Sequence, residues 1–214
     1  IVTKYRNILK WDRLARDNPK FYICSEHLTE GEFRITGLKD YKNLVHKDQR
    51  IWDLLGTNRN SALDIGCGMG RMTEFFANDF NNIYGTDISK TMIEKARSRL
   101  PDTKYRFIET DGESIPLSNG TIDFCFSQAV FHHMPKKSIV VKNFQEVYRI
   151  LKSNGVFKVQ LRGRKVSKKE WFYGVSFNKD SATKLAEKIG FKVRYVDELV
   201  NLKNKPYLHL ILQK

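Results

Sequence analysis

The chain has 214 residues and a formal net charge of +14, from 38 lysines and arginines against 24 aspartates and glutamates. A hydrophobic content of 41% with 12% aromatics excludes a disordered chain and allows one sizeable core plus a small accessory element. No apolar run approaches the ~20 residues that cross a bilayer, and the basic N-terminus lacks the apolar core of a signal peptide.

Residues 3–16 carry helical periodicity, with Tyr5, Ile8, Leu9 and Trp11 predicted on the buried side, and Asn18-Pro19 stops the helix. The stretch 21–37 has little periodicity, contains Gly31 and Gly37, and reads as loop. A second helix is expected from about Asp40, with Tyr41, Leu44, Val45, Trp52 and Leu55 spaced for one apolar face. Residues 62–65 then form a brief apolar run bounded by turn-formers, the signature of a short buried strand. Gly66, Gly68 and Gly70 follow at alternate positions, and a helix is predicted over 71–78. Strand, glycine turn and helix together let backbone come close to a ligand.

A second apolar run, 83–86, ends at Asp87, and Ser89 can cap the next helix, whose Met92, Ile93, Ala96 and Leu100 form a stripe ended by Pro101. A third run, 105–108, leads to Asp111-Gly112-Glu113. Asn119-Gly120 marks a turn before a fourth strand over 122–126. Pro135 opens a long helix with Ile139, Val140, Phe144, Val147, Tyr148 and Leu151 on one face, Asn154-Gly155 closes it, and 156–161 is the fifth strand. A basic, aromatic insert spans 162–177, holding Arg162, Arg164, Lys165, Lys168 and Lys169, then Trp171, Phe172 and Tyr173. Its charge and rings suit an anionic, partly aromatic acceptor, a nucleotide base stacked against a ring, or a solvated loop. A helix over 180–189 with Gly190 as its C-terminal cap precedes two strand-like runs, 191–196 and 207–212, separated by a Lys- and Asn-rich turn. Strands alternating with helices predict a parallel sheet covered on both faces.

The glycine spacing narrows the ligand. A dinucleotide fingerprint needs G-x-G-x-x-G, and here Arg71 stands where its last glycine belongs, which disfavours a nicotinamide dehydrogenase. Asp64, one spacer and G-x-G-x-G through Gly70 instead resemble the first motif of the class I S-adenosylmethionine-dependent methyltransferases, at every fixed position. Asp87, about 20 residues on, and Asp111 at the next strand end extend the likeness, since an acidic group there can take ribose hydroxyls. The resemblance covers about residues 51–214. It implies an α/β, Rossmann-like, doubly wound, mostly parallel seven-stranded sheet with an antiparallel last strand and helices on both faces. It also implies a division into an N-terminal helical cap or lid, 1–50, and a cofactor-binding domain, 51–214.

The same resemblance implies S-adenosyl-L-methionine as cofactor, S-adenosyl-L-homocysteine as product, and no metal. Asp64 would orient the methionine ammonium, and Gly66, Cys67 and Gly68 would let backbone approach the methionine and ribose. Asp87 would take the ribose hydroxyls with Ile88 beside the adenine, and Asp111, Gly112 and Glu113 would frame the ring. The segment from Ser127 to His133, after the fourth strand and including Gln128, would line the gap between cofactor and acceptor. There His132 is a candidate general base, since imidazole has an unperturbed pKa of about 6.5. The segment lacks the Asn/Asp-Pro-Pro-aromatic motif of amino-group DNA methyltransferases and the Pro-Cys nucleophile of cytosine-5 enzymes.

Three function classes follow: a methyltransferase for a small molecule, an RNA methyltransferase, and a non-catalytic protein that binds the cofactor or a partner. The run 129–133 is similar to some tRNA wobble-uridine enzymes, and a net charge of +14 suits RNA, though it also simply aids solubility. Cys24, Cys67 and Cys125 are widely spaced with no C-x-x-C, so neither a disulfide framework nor a zinc site is expected, and the chain reads as cytoplasmic.

Overall fold

The computed structural model describes residues 2–24, 26–163, 174–200 and 206–214, with side chains from residue 6 onward. Seven strands form one sheet: β1 (Ser61–Ile65), β2 (Asn82–Asp87), β3 (Tyr105–Glu109), β4 (Ile122–Ser127), β5 (Leu151–Arg162), β6 (Lys192–Val200) and β7 (Pro206–Gln213). Their order is β3-β2-β1-β4-β5-β7-β6. The first five run parallel, and β7 lies antiparallel between β5 and β6. Order reverses between β1 and β4, the crevice where open α/β sheets bind ligands.

Alternation along the strands builds a core on each face. Leu63, Cys125, Phe157 and Leu210 meet α6 (Lys137–Ile150) and α7 (Lys179–Ile189) through Val140, Phe144, Val147 and Ala186. Ala62, Ile83, Phe124 and Val156 face the other way, onto Tyr41, Val45, Trp52, Phe76 and Phe80. Helix α5 (Lys90–Arg99) packs Ile93 and Ala96 on Phe107 at the sheet's far edge, and Ser89 Oγ accepts from Met92 N at its start, as its sequence predicts.

The N-terminal part departs from expectation. Helices α1 (Val2–Asp17) and α2 (Pro19–Cys24) are separated at Asn18, but the predicted loop 21–37 holds most of α2 and most of α3 (Glu30–Tyr41). A capping box starts α3: Thr29 Oγ1 accepts from Glu32 N at 3.3 Å, and Glu32 Oε2 accepts from Thr29 N at 2.9 Å. Gly37 is the close-packing point of α3, since a Cβ there would lie 2.2 Å from the Arg71 carbonyl oxygen. The single helix expected from Asp40 is broken into the end of α3, a π-helical turn (Lys42–His46) and α4 (Gln49–Leu55). On α1 the buried stripe is Leu14 and Ala15, whereas Leu9 is exposed and Ile8 and Trp11 are half-buried. Tyr5 has no described side chain.

Two more boundaries shift. The predicted helix 71–78 is a 3₁₀ segment (Thr73–Asn78) after a turn, and the Thr73 hydroxyl at its start donates to Asp64. Asn154-Gly155 does not close α6: α6 ends at Ile150, the chain passes directly into β5, and Asn154, at φ 63°, sits in the irregular pairing where β5 meets β4. Of the insert 162–177, residues 164–173 lie outside the described residues, which takes in Arg164, Lys165, Lys168, Lys169, Trp171, Phe172 and Tyr173. Among the described residues, no helix is long and apolar enough to cross a membrane.

Candidate functional site

At the C-terminal ends of β1 to β5 lies a cavity of about 910 Å³. Every residue assigned from sequence to the cofactor or to catalysis lines it: Asp64, Gly66, Cys67, Gly68, Asp87, Ile88, Asp111, Gly112, Glu113, Gln128 and His132. Strand order explains the convergence, for β3, β2, β1 and β4 are neighbours and their end loops open on one side.

The glycine turn is shaped for close approach. Gly66 has φ 73°, its N–H donates to the Thr86 carbonyl at 2.7 Å, and a Cβ there would sit 2.3 Å from Val130 Cγ2. Gly68 N–H donates to Asp87 Oδ2 at 3.0 Å, and Ser89 N–H donates to Asp87 Oδ1 at 2.9 Å. Asp87 therefore locks the end of β2 to the turn after β1. Burial pushes its carboxyl pKa upward, against the lowering effect of those N–H groups, and Asp12 on α1 adds to the rise.

Asp64 is 5% exposed, and its Oδ2 accepts from Thr73 Oγ1 at 2.6 Å. Burial drives its pKa up to about 6, while Thr73 and Arg71 pull it down. Cys67 is buried, and burial raises its thiol well above the ordinary range, first by desolvation and then by Asp87 and Asp64. That is a protonated spacer, not a nucleophile.

After β3, Asp111 Oδ1 accepts from the Glu113 and Ser114 N–H groups at 2.9 and 2.8 Å, folding an Asx-type turn. Helix α6 clamps this loop: Asn143 Nδ2 donates to the Gly112 carbonyl at 2.7 Å, and Glu146 Oε2 accepts from Ile115 N at 2.8 Å. Lys142 pairs with Glu113 at 2.6 Å.

Beyond β4 the wall changes character. Ala129 takes φ 59°, a conformation costly for a residue with a side chain, and its N–H donates to Gln160 Oε1 at 3.1 Å. A single 3₁₀ turn (Phe131–His133) buries His132 to 7% exposure. Its Nδ1 has no hydrogen-bond partner among the described residues. Burial, and then the Arg162 guanidinium, push its pKa down to about 3, so the imidazole is neutral near pH 7.

Sequence reasoning missed several cavity residues. Gln160 and Tyr207 come from β5 and β7, Asn143 from α6, and Asn7, Phe21 and Ile23 from α1 and α2, while Arg162, expected in the basic insert, ends β5. A signal for the β5 pair was present: Lys158, Gln160 and Arg162 are polar at alternate positions of a strand buried on both faces. Trp11 meets His133 edge-on at 4.9 Å between ring centroids, joining the N-terminal helix to the histidine pair. Asp12 Oδ1 accepts from Ser89 Oγ and Thr91 N, each at 2.9 Å, and ties α1 to the start of α5.

Comparison with known proteins places this geometry. Residues 63–159 match the family described as a methyltransferase domain. The chain is 34% identical over 94 residues to a tRNA (carboxymethyluridine(34)-5-O)-methyltransferase of Saccharomyces cerevisiae, covering 44% of this chain and 32% of that protein. It is 32% identical over 107 residues to a trans-aconitate 2-methyltransferase of Rhizobium rhizogenes, covering 49% of this chain and 40% of that protein. The chain thus spans less than half the length of these curated relatives. Among solved structures, a putative sarcosine dimethylglycine methyltransferase from Galdieria sulphuraria superposes with a TM-score of 0.66 at 16% identity, covering 83% of this chain and 86% of that one. That likeness is one of fold.

Proposed function

We propose that the chain, whose residues 63–159 match a methyltransferase domain, is a class I S-adenosylmethionine-dependent methyltransferase and transfers a methyl group to a small-molecule acceptor. The observation that carries the reading is the pair of carboxyls, Asp64 and Asp87, held by burial above their ordinary pKa beside a glycine turn that a single Cβ would close. Carboxyls in that condition gain from a cation in the cavity, and the family's cofactor is cationic. The residues present therefore fit S-adenosylmethionine.

When bound, that cofactor supplies a methyl group already activated on sulfonium, so the chain need not build a strong electrophile. What remains for its residues is to bind, orient and exclude water. Asp64 is assigned the methionine ammonium. Gly66, Cys67 and Gly68 offer backbone to the methionine and ribose, and Asp87 the ribose hydroxyls. Ile88, Asp111, Gly112 and Glu113 frame the adenine, with Gln128 at the passage to the acceptor. Residues 1–50 are proposed as the cover over a cofactor domain of 51–214, a reading supported by the α1 and α2 side chains in the cavity wall.

A conjugate-acid pKa near 3 makes His132 a weak general base. Its neutral ring is assigned to accept a hydrogen bond from the acceptor, which orients the nucleophile. His132→Ala is expected to slow single-turnover methyl transfer about 10-fold, the worth of one neutral hydrogen bond. Cofactor affinity should stay within about twofold of wild type by calorimetry. An unchanged rate with the true acceptor would leave His132 a packing residue.

Asp87→Ala removes a charged hydrogen-bonding group worth roughly 1.5–3 kcal/mol and should weaken S-adenosylhomocysteine about 10- to 100-fold. The measurement is calorimetric titration of the folded variant, and wild-type affinity would remove Asp87 from the ribose. NADH binding in place of either adenosyl ligand would overturn the family reading of the cavity.

RNA is the second reading, favoured by the +14 charge and by the 34% identity to a tRNA enzyme. It predicts affinity that falls steeply with salt, as counterions leave phosphate contacts. Labelled cofactor incubated with fractionated cell extract, with and without nuclease, separates the two. Label in a nuclease-resistant small molecule supports the first reading, and label lost to nuclease the second.

A further inference from the structure

The charges of the cavity wall are divided by the sheet. On the β3-β2-β1 half, the strand ends and the loops after them carry Asp111, Glu113, Asp87 and Asp64, and the one arginine there, Arg71, is paired with Asp40 at 2.7 Å. On the β4-β5-β7 half the wall is built from Gln128, His132, Gln160, Tyr207 and one guanidinium, that of Arg162. Arg162 is the last residue of β5 and is 3% exposed. It stands in register with Tyr207 on β7, two residues beyond Gln160, which is likewise buried and hydrogen-bonded to Ala129 and to His209. Burying an arginine at the end of a core strand costs desolvation. A fixed planar fork of donors opening on a ligand cavity matches the geometry of a carboxylate.

We infer that the methyl acceptor is a small carboxylic acid and that Arg162 binds its carboxylate, in the half of the cavity opposite the acidic strand ends. The inference rests on the methyltransferase reading, which gives the acidic half to the cofactor. The division of charge then sorts the two ligands: a cationic cofactor is drawn to β1-β3, and an anionic acceptor to β5. Each is repelled from the other's place, so orientation is set before contact. His132 lies between the two, and its neutral ring offers the anion no opposing charge.

The test uses acetate, benzoate and succinate, each paired with its amide, titrated by calorimetry into the full chain with S-adenosylhomocysteine present. At least one acid should bind wild type about 10- to 100-fold more tightly than its amide, the range for a charge-assisted bidentate pair. In Arg162→Gln that preference should fall to about twofold or less, and in Arg162→Lys, which keeps the charge and loses the fork, to an intermediate value. S-adenosylhomocysteine affinity, measured alone, is expected to be unchanged in both variants and decides the cofactor reading separately. Thermal melting checks folding, and if Arg162→Gln fails to fold, Arg162→Lys carries the comparison. The inference is overturned if no acid outbinds its amide, or if the preference survives in the folded variants. It is equally overturned if a short single-stranded RNA, and no acid, binds in an Arg162-dependent way.

Discussion

Gly66→Ala is expected to cost about 2–5 kcal/mol of folding stability and to remove measurable cofactor binding. The first part is conformational: φ 73° is left-handed backbone, and an L-residue with a Cβ pays ~1–2 kcal/mol there. The second is steric: the new methyl would meet Val130 Cγ2 at 2.3 Å and Cγ1 at 2.7 Å, and overpacking of that kind costs ~1–3 kcal/mol. Val130 cannot simply move aside, because it follows Ala129, which is already held at φ 59° with its N–H on Gln160. In a chain of this length each kcal/mol shifts Tm by about 2–4 °C, so scanning calorimetry should show a drop of roughly 5–20 °C. Val130→Ala in the same chain should recover the steric part and not the conformational one. A variant that melts within about 2 °C of wild type would show that the turn relaxes freely, and the close approach assigned to it would fail.

Which features could be read in advance follows from how local each signal is. Asp64, Gly66, Gly68 and Asp87 stand at strand ends, where an apolar run stops at an acidic residue and glycine follows, so a window of a few residues contains the whole signal. The mostly parallel seven-stranded sheet and its antiparallel last strand were legible in the resemblance, and the structure has both. Helix α3 escaped because Gly31 and Gly37 mask its periodicity, although Thr29 and Glu32 had the spacing of a capping box. Asn154-Gly155 misled because a turn signal inside a strand is read as an end, whereas here it is absorbed by the irregular start of β5. Tyr207 and Asn143 reach the cavity only through strand and helix packing over 70 or more positions from the glycine turn, a distance no local pattern spans. Gln160 and Arg162 lie between these cases: their alternation was visible, but its meaning depended on β5 being buried on both faces.

Asp64→Asn should stabilise the cofactor-free protein at pH 7.5 while weakening its hold on the cofactor, two effects of opposite sign from one atom. Burial raises the Asp64 pKa from the ordinary 3.8 to about 6 in the folded chain. Between those values the folded state binds more protons than the unfolded one. Stability is therefore greatest below the unfolded value, falls as pH rises through the window, and carries its full deficit above about pH 6. At about 1.36 kcal/mol per pKa unit the deficit is about 3 kcal/mol. Asparagine cannot ionise and can keep a hydrogen bond with the Thr73 hydroxyl, so chemical denaturation should find the variant up to about 3 kcal/mol more stable at pH 7.5 and little changed at pH 4. The same substitution removes the anion assigned to the methionine ammonium, and affinity for S-adenosylhomocysteine should fall about 10- to 100-fold. A buried charge that weakens the empty fold is retained where a ligand compensates it, which is why the two measurements belong together. Equal stability of variant and wild type at pH 7.5 would mean that Asp64 is not strained in the empty protein. Gained stability with wild-type affinity would mean that its charge serves something other than the cofactor.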